Sequence, residues 1–503
     1  MTAAEHVVVI GFGPVAARLV EELLPRVEAG TLRLTVLGAE PHAAYNRVLV
    51  AEVGTGRATA GRISLADAGE LTAAGVDVRL GTAVRRVDRS RRLVLLEDGG
   101  AVAYDRLVFA TGARPVVPTL RGLDFTPHVE PRLPGGVVAL RDLDDAGALL
   151  PVVRSGGRVV ILGGGILGVE AALAVQEQGG QAVLVHHGGH PLSRALDDDA
   201  GRLLGSLLCA AGVEVVLRAK AVAVRHGAGF EGLELDDGTV VAGDLLVLSV
   251  GVRARGELAE GCGLVVERGI RVDRNLRADT EDRVFAIGDC AAVEGRGPSG
   301  LIGPGWTQAA WLAGYLAARP LDAAPPAGGP EPADDGLAPL PPEPAAVLLL
   351  KARGIDLSTG GDPTPGPWHE GPERVAVWAD PRAGRYCKMV TRDGVLTGFT
   401  AIGMPRTAAE LVLLYERGTE LPADRSTLFR LDDAGAPAAA RPAGPGDVLC
   451  RCSGATHGEV AAALDAGCAT VEEVGSSCRA GTGCGGCKEQ IEAMLRAAAP
   501  LPA

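Results

Sequence analysis

The C-terminal end of the chain concentrates its reactive side chains. Cys450-Arg-Cys452 is followed, after 31 intervening residues, by Cys484-Gly-Gly-Cys487. Two close thiol pairs can converge on one metal centre. The second pair runs straight into Lys488-Glu-Gln-Ile-Glu-Ala-Met-Leu495, a helix-forming stretch. A helix starting there aims free backbone N–H groups and the positive end of its dipole at an anionic sulfur site. Four thiolates suit a [2Fe–2S] cluster, and a tetrahedron of four cysteines suits zinc equally. Cys468 and Cys478 lie between the pairs; Cys468 reads as packed against a helix and Cys478 as a surface thiol or an alternative ligand, a non-ligand role being favoured for both. The chain enters a strand at once, His6-Val-Val-Val-Ile10, with no leader peptide in view. Clustered cysteines then favour a metal site over a disulfide framework.

Two glycine-rich turns carry a second chemistry. Strand-like Val7–Ile10 leads into Gly11-Phe-Gly13-Pro-Val-Ala16. The first glycine permits a tight turn, the second lets backbone approach a pyrophosphate, and the small third residue lets helix pack on strand. The helix N-terminus then faces the phosphates. A following strand, Leu32–Leu37, ends near Glu40, where an acid can hold a ribose hydroxyl. The pattern recurs at Val159-Val-Ile-Leu-Gly163-Gly-Gly165-Ile-Leu-Gly168-Val-Glu170. Two copies in context imply two dinucleotides. After the second copy's next strand, Ala182–Val185, His186-His187 stand where an acid would select NADH. NADPH therefore stays open, with His186, His187 or Arg194 as candidate phosphate partners; two surface histidines with no ligand role are the plain alternative.

These residues need several supporting units. The expected division is 1–125 and 254–319 for a first nucleotide-binding domain, with 126–253 as a second inserted within it. A Pro/Ala/Gly-rich linker at 320–344, a small α/β module at 345–434, a second linker at 435–446 and the cysteine domain at 447–498 follow. In the module, strands are expected at Val375–Trp378, Tyr386–Val390 and Leu396–Ala401. In the cysteine domain, Thr456-x-x-Glu459 and Thr470-x-x-Glu473 read as capping boxes, and Gly467 as a helix stop. Apolar residues make up 47% of the chain, enough for buried cores. A net charge of −13 and 3% aromatics disfavour a nucleic-acid partner. No apolar run is long enough to span a bilayer, which suits a cytoplasmic protein.

Further segments resemble the two-dinucleotide-domain flavoproteins. Tyr104-Asp-Arg-Leu-Val-Phe-Ala110-Thr111-Gly112 is similar to their ATG motif, Ser249-Val-Gly251 to the motif closing the NAD domain, and Gly288-Asp289 to their late Gly-Asp motif. The resemblance implies an α/β fold with FAD and NAD(P) Rossmann-like domains. It gives Asp289 the ribityl and phosphate region of FAD, places Asn46 and Arg47 beside the isoalloxazine, and sets the Val84 backbone against the adenine. Glu170 falls near the nicotinamide, with Glu170 and Arg47 as the orienting groups of catalysis. Gly303-Pro304-Gly305-Trp306 resembles the turn before a helix that points at the flavin. No cysteine precedes Cys209, so the redox thiol pair of a disulfide reductase is not expected.

The tail resembles the small helical [2Fe–2S] domain of bacterioferritin-associated ferredoxin, which implies Cys450, Cys452, Cys484 and Cys487 as ligands. The order of modules resembles the electron-transfer subunit of assimilatory nitrate reductases and the N-terminal half of NAD(P)H nitrite reductases. No cysteine follows Cys487, so the resemblance stops before the sirohaem and [4Fe–4S] domains of the latter. It implies NAD(P)H, FAD and a [2Fe–2S] cluster in sequence, feeding a separate nitrate or nitrite reductase catalytic subunit. A general ferredoxin or rubredoxin reductase, an amine or opine dehydrogenase subunit, and a redox- or iron-sensing module are the alternatives. A homodimer stays open.

Overall fold

The computed structural model describes residues 4–123, 132–319, 321, 338–343, 345–350, 354–433, 444–483 and 485–498. The N-terminal unit is built on a five-stranded parallel sheet with the strand order Val284–Ala286, Arg106–Phe109, Glu5–Ile10, Leu32–Leu37, Asp77–Arg79. Val7, Val8 and Val9 in the central strand are completely buried. They form an unbroken apolar run because a parallel sheet is covered on both faces. Helix α1 (Pro14–Glu28) crosses one face and buries Ala16, Leu19, Val20 and Leu23.

The second unit repeats the plan. Its parallel sheet runs Glu214–Val216, Gln181–Val185, Arg158–Leu162, Leu245–Leu248, Val137–Val138. Around it lie α2 (Leu143–Arg154), α3 (Ile166–Glu177) and α4 (Asp198–Ala210). The chain passes between the units along Ala113–Pro115 and returns along Val252–Ala254, and these two segments pair antiparallel. Back in the first unit, α5 (Ile302–Ala318) packs on α1. Gly305 permits this approach: a Cβ there would come within 2.5 Å of Val15 Cγ2.

The third unit is an antiparallel five-stranded sheet, Val347–Leu349, Leu357–Gly361, Val395–Ile402, Arg385–Arg392, Arg374–Asp380. The three strands expected from sequence are present, each longer than expected. Side-chain alternation splits the strand Arg385–Arg392 between two cores. Cys387 and Met389 face α6 (Pro405–Arg417), packing with Leu411 and Val412. Tyr386, from the opposite face, joins Leu350, Ile355, Leu357 and Ile402 in the core of the second unit.

Among its described residues the C-terminal unit has three helices, α7 (His457–Asp465), α8 (Val471–Cys478) and α9 (Lys488–Ala498). Both expected capping boxes form, Thr456 with Glu459 and Thr470 with Glu473. Gly467 takes φ +101° just past α7, a conformation open to glycine and costly for other residues. The expected linkers at 320–344 and 435–446 fall largely outside the described residues. Residues 338–343 of the first do not run free: Trp311 Nε1 donates to Ala338 O at 2.8 Å, and Leu340 packs on the N-terminal core.

Candidate functional site

The first glycine turn brings its motif residues together. Gly11 has φ +104°, and a Cβ there would run into the Ala110 carbonyl, so the fingerprint and the Ala110-Thr111-Gly112 segment lie in backbone contact. Thr111 Oγ1 donates to Arg255 O at 2.7 Å, and Arg255 N–H donates to Gly112 O at 2.9 Å. Gly251 O accepts Val116 N–H at 2.9 Å. The approach to Val84 is tied to the acid after the second strand: Gly81 N–H donates to Glu40 O at 2.9 Å and Thr82 N–H to Gly38 O at 2.7 Å.

A charged network lines this groove. Glu40 accepts Tyr45 OH at 2.6 Å and pairs with Arg47. Burial opposes its charge, but Arg47, the Tyr45 hydrogen bond and Arg255 together outweigh burial and hold the carboxyl below its ordinary value. Arg47 also donates to Arg141 O at 3.3 Å, and its Nε lies 3.8 Å from where a Cβ of Gly13 would sit. Arg141 reaches Asp289 Oδ2 at 3.4 Å. Burial holds Arg141 below the usual guanidinium range, Asp289 pulls the other way, and Arg47 and Arg255 add to burial. Sequence reasoning missed Arg141; it lies in no motif, and only the fold carries it to Asp289.

FAD fits this groove. Arg141 Nε is buried with no hydrogen-bond partner among the described residues. α1 starts at Gly13 without a side-chain cap, leaving its first N–H groups to a ligand. Gathered guanidiniums beside an open helix start suit a pyrophosphate.

The second turn has a different lining. Gly163 has φ +121°, and a Cβ there would strike Ser249 O; one at Gly168 would strike Gly163 O. These are the tight-turn and close-packing roles expected of the two glycines. α3 begins at Gly165 without a side-chain cap, and Glu170 lies half-buried farther along it. Leu167 beside the turn is 50% exposed. His186 is not positioned as a free phosphate partner. It is buried, its Nδ1 accepts Gly164 N–H at 3.2 Å, and its Nε2 lies 3.1 Å from Ser193 Oγ. Burial, then the neighbouring His187 and His190, pull it down to about 4, so it is neutral near pH 7. His187 and Arg194 remain exposed beside it.

In the C-terminal unit, Cys450, Cys452 and Cys487 share one core with Val460, Val474 and Ile491. The hydrogen bond with Cys487 is the main influence that brings the Cys450 thiol down to about 5, against burial. A thiolate is the ligand form of cysteine. Cys484 lies outside the described residues, and among the rest no three His, Cys, Asp or Glu side chains form a ready metal cage. The three thiols and the acidity of Cys450 fit a cluster. Cys468 and Cys478 are half-buried at the edge of the same core.

This cysteine loop is docked on the first groove. Asn46 Nδ2 lies 2.6 Å from Thr482 O and 2.5 Å from Gly483 O. A Cβ on Gly483 would sit 2.5 Å from Cys452 Cβ and 3.4 Å from Trp306 Cη2. Trp306 is buried and its Nε1 donates to Pro14 O, at the first residue of α1, at 3.0 Å. Ion pairs Arg62–Glu472 and Arg479–Glu21 join the same two units, and Arg451–Glu416 ties the cysteine loop to α6 of the third unit. Asn46 and Trp306 thus bridge the flavin groove and the cysteine loop, a role their position in sequence did not reveal.

Residues 5–314 match the pyridine nucleotide-disulphide oxidoreductase family, and residues 448–497 match the BFD-like [2Fe-2S] binding domain. The chain is 27% identical to the nitrite reductase (NAD(P)H) of Bacillus subtilis (strain 168), over 98% of its own length and 57% of that protein's. It is also 27% identical to the assimilatory nitrate reductase electron transfer subunit of the same organism, over 98% of its own length and 59% of that protein's. The chain thus spans less than two thirds of these curated relatives. Among solved structures, the covalent putidaredoxin reductase–putidaredoxin complex superposes with a TM-score of 0.69 at 21% identity, covering 86% of this chain and 98% of that one, which shows the fold. The two matches bring FAD, NAD(P)H and a [2Fe–2S] cluster to this chain as cofactors of an oxidoreductase. On the match over residues 5–314, the chain belongs to the pyridine nucleotide-disulphide oxidoreductase family.

Proposed function

We propose that the chain takes electrons from NAD(P)H and delivers them to a separate nitrate or nitrite reductase catalytic subunit in the cytoplasm. The observation that carries this reading is the docking of the cysteine loop, through Thr482 and Gly483, on Asn46 and Trp306 of the first groove. A chain that only bound nucleotides would have no use for a thiol cluster held there. The names of the two relatives supply the acceptor. Among the described residues, no helix is long and apolar enough to cross a membrane.

When bound, FAD would convert a two-electron hydride into single electrons and the cluster would carry them singly. The protein's own work is placement. Gly11, Gly13 and Ala16 open the first turn, and Arg47, Arg141 and Asp289 supply the charges around it. Gly163, Gly165 and Gly168 seat the nicotinamide dinucleotide, with Glu170 on the same helix. Cys450, Cys452, Cys484 and Cys487 would hold the cluster. Asn46 keeps the loop before Cys484 against the groove, and Trp306 excludes water between them.

Anaerobic titration of the purified protein with NADH and with NADPH tests the reading, following flavin absorbance and the reduced cluster's EPR signal together. Both signals should develop, and the better donor identifies the nucleotide. Bleaching with no cluster signal, in protein whose metal analysis shows zinc, would remove the electron-transfer role of the C-terminal unit. Nitrate reduction restored on adding a nitrate reductase catalytic subunit would support the acceptor; none with either subunit would overturn it.

A further inference from the structure

The third unit, residues 345–433, lies outside both family matches. Its sheet face packs on the segment 186–197, which follows the strand Gln181–Val185 of the second unit. Leu350, Ile355, Leu357, Tyr386 and Ile402 share a core with Leu192 and Leu196 of that segment. Thr359 Oγ1 lies 3.0 Å from Ala195 O. At the segment's end, Asp197 accepts Tyr386 OH at 3.0 Å and pairs with Lys388 Nζ at 3.3 Å. The Lys388 and Asp197 side chains are only 4% and 10% exposed, so solvent screens this pair little. Asp197 Oδ1 also caps α4, accepting the N–H groups of Asp199 and Ala200, each at 3.1 Å.

The other side of the same segment holds the glycine turn. Leu192 N–H donates to Gly164 O at 2.8 Å, while Gly164 N–H donates to His186 Nδ1. Leu192 does this in the left-handed region, at φ +54°. A non-glycine residue held there is strained and persists only where its surroundings over-determine it. Here the surroundings are the shared core with the third unit, in which Leu192 is 4% exposed.

We propose that the third unit is a brace for the second nucleotide turn, with Tyr386 and Lys388 acting through Asp197 as positioning residues for NAD(P)H. The proposal rests on the Gly163–Gly168 turn being the NAD(P)H site. Removing Tyr386 OH or the Lys388 charge releases Asp197, relaxes Leu192 and lets Gly164 shift, while the FAD groove is untouched.

Tyr386→Phe, Lys388→Met and Gly168→Val in the full-length holoprotein test it. Tyr386→Phe keeps the ring in the core, so it guards against simple misfolding of the lysine variant. The readouts are KM and kcat for NADH and NADPH with ferricyanide as acceptor, ADP-ribose binding by calorimetry, and FAD content. The expected result is a KM rise of about tenfold in Lys388→Met, less in Tyr386→Phe, with weaker ADP-ribose binding in step. The kcat and FAD content stay at the parent values, and Gly168→Val abolishes nucleotide binding. If Gly168→Val removes binding but Tyr386→Phe and Lys388→Met leave KM and ADP-ribose affinity unchanged, the brace is wrong and the site stands. If Gly168→Val leaves nucleotide binding intact, the site assignment falls and the brace with it.

Discussion

The two dinucleotide folds share a backbone device and differ in everything around it. Both turns start a helix at a glycine with no side-chain cap, whereas α2, α4, α7 and α8 are capped by Asp142, Asp197, Thr456 and Thr470. The first turn is ringed by Arg47, Arg141, Glu40 and Asp289 and roofed by the cysteine loop. The second is lined by a neutral imidazole and apolar side chains, with Leu167, Val250 and Val252 50%, 37% and 44% exposed, Glu170 farther along its helix and Arg194 exposed beside the imidazole. Charge and enclosure suit a cofactor that is retained. An open, weakly charged mouth suits one that exchanges on every turnover. Similar motifs therefore specify where a pyrophosphate sits, and the surroundings specify how long it stays.

The sharpest way to break the comparison is to damage each turn in kind. Gly11→Ala forces a Cβ into the Ala110 carbonyl at φ +104°. It should cost about 3 kcal/mol and leave a protein isolated without flavin, detectable by absorbance and thermal unfolding. If Gly11→Ala retained FAD through gel filtration, the first turn would not be the retaining site. Arg141→Met is the next largest. Removing a charge-assisted contact of about 1.5–3 kcal/mol should weaken FAD retention about 10- to 100-fold, measured by fluorescence of flavin released on dilution. NADH binding to the second turn should not follow it.

How far this contrast was legible in the sequence depends on whether local spacing or distant packing made it. Gly11, Gly163 and Gly168 announce themselves, because a fixed spacing and a forced φ are local properties. The capping boxes at Thr456 and Thr470 are local too, and both formed where expected. Arg141 was not legible: it meets Asp289 only because the second unit is inserted into the first, 148 residues apart in sequence. Asn46 was placed beside the flavin, but its hold on Thr482 spans 436 residues and leaves no periodic trace. His186 was visible as a residue out of pattern, yet exposure and engagement are tertiary facts. Sequence could not say that its ring lies against the turn, where a Cβ on Gly164 would come within 2.7 Å of it.

That histidine gives a pH prediction specific to the second fold. Its folded value of about 4 lies below its unfolded value of 6.5. The unfolded chain therefore binds the proton more readily between these values. The stability His186 provides is full above about pH 6.5 and is lost progressively as pH falls towards 4. Protonation also ends acceptance at Nδ1 of the Gly164 N–H. Thermal midpoints measured from pH 7 to 4 should fall, and His186→Gln should flatten part of that slope. An unchanged slope would mean that the ring is not held neutral in the fold.

The smallest expected effect concerns the roof of the first groove. Arg62 and Glu472 are 64% and 52% exposed, so their pair contributes only about 0.5 kcal/mol to docking. Arg62→Glu should nevertheless place like charges opposite each other, and Glu472→Arg in the same chain should restore the attraction. The measurement is hydrogen exchange of the segment around Asn46, covered by Thr482–Gly483 in the docked state, and of the first turn of α5, where Gly303 faces the Arg451–Cys452 backbone. Exchange should rise several-fold in Arg62→Glu, return in the double variant, and become indifferent to either change at 1 M salt, where charges are screened within about 3 Å. Rescue by the swapped pair separates docking from local damage, because a distorted segment would not recover when the partner charge is reversed. Equal exchange in all variants would remove the Arg62–Glu472 pair from the hold on the cysteine loop. The first groove would then be roofed through Asn46, Trp306 and the less exposed Arg479–Glu21 pair, with the Arg62–Glu472 charges left to orient the approach.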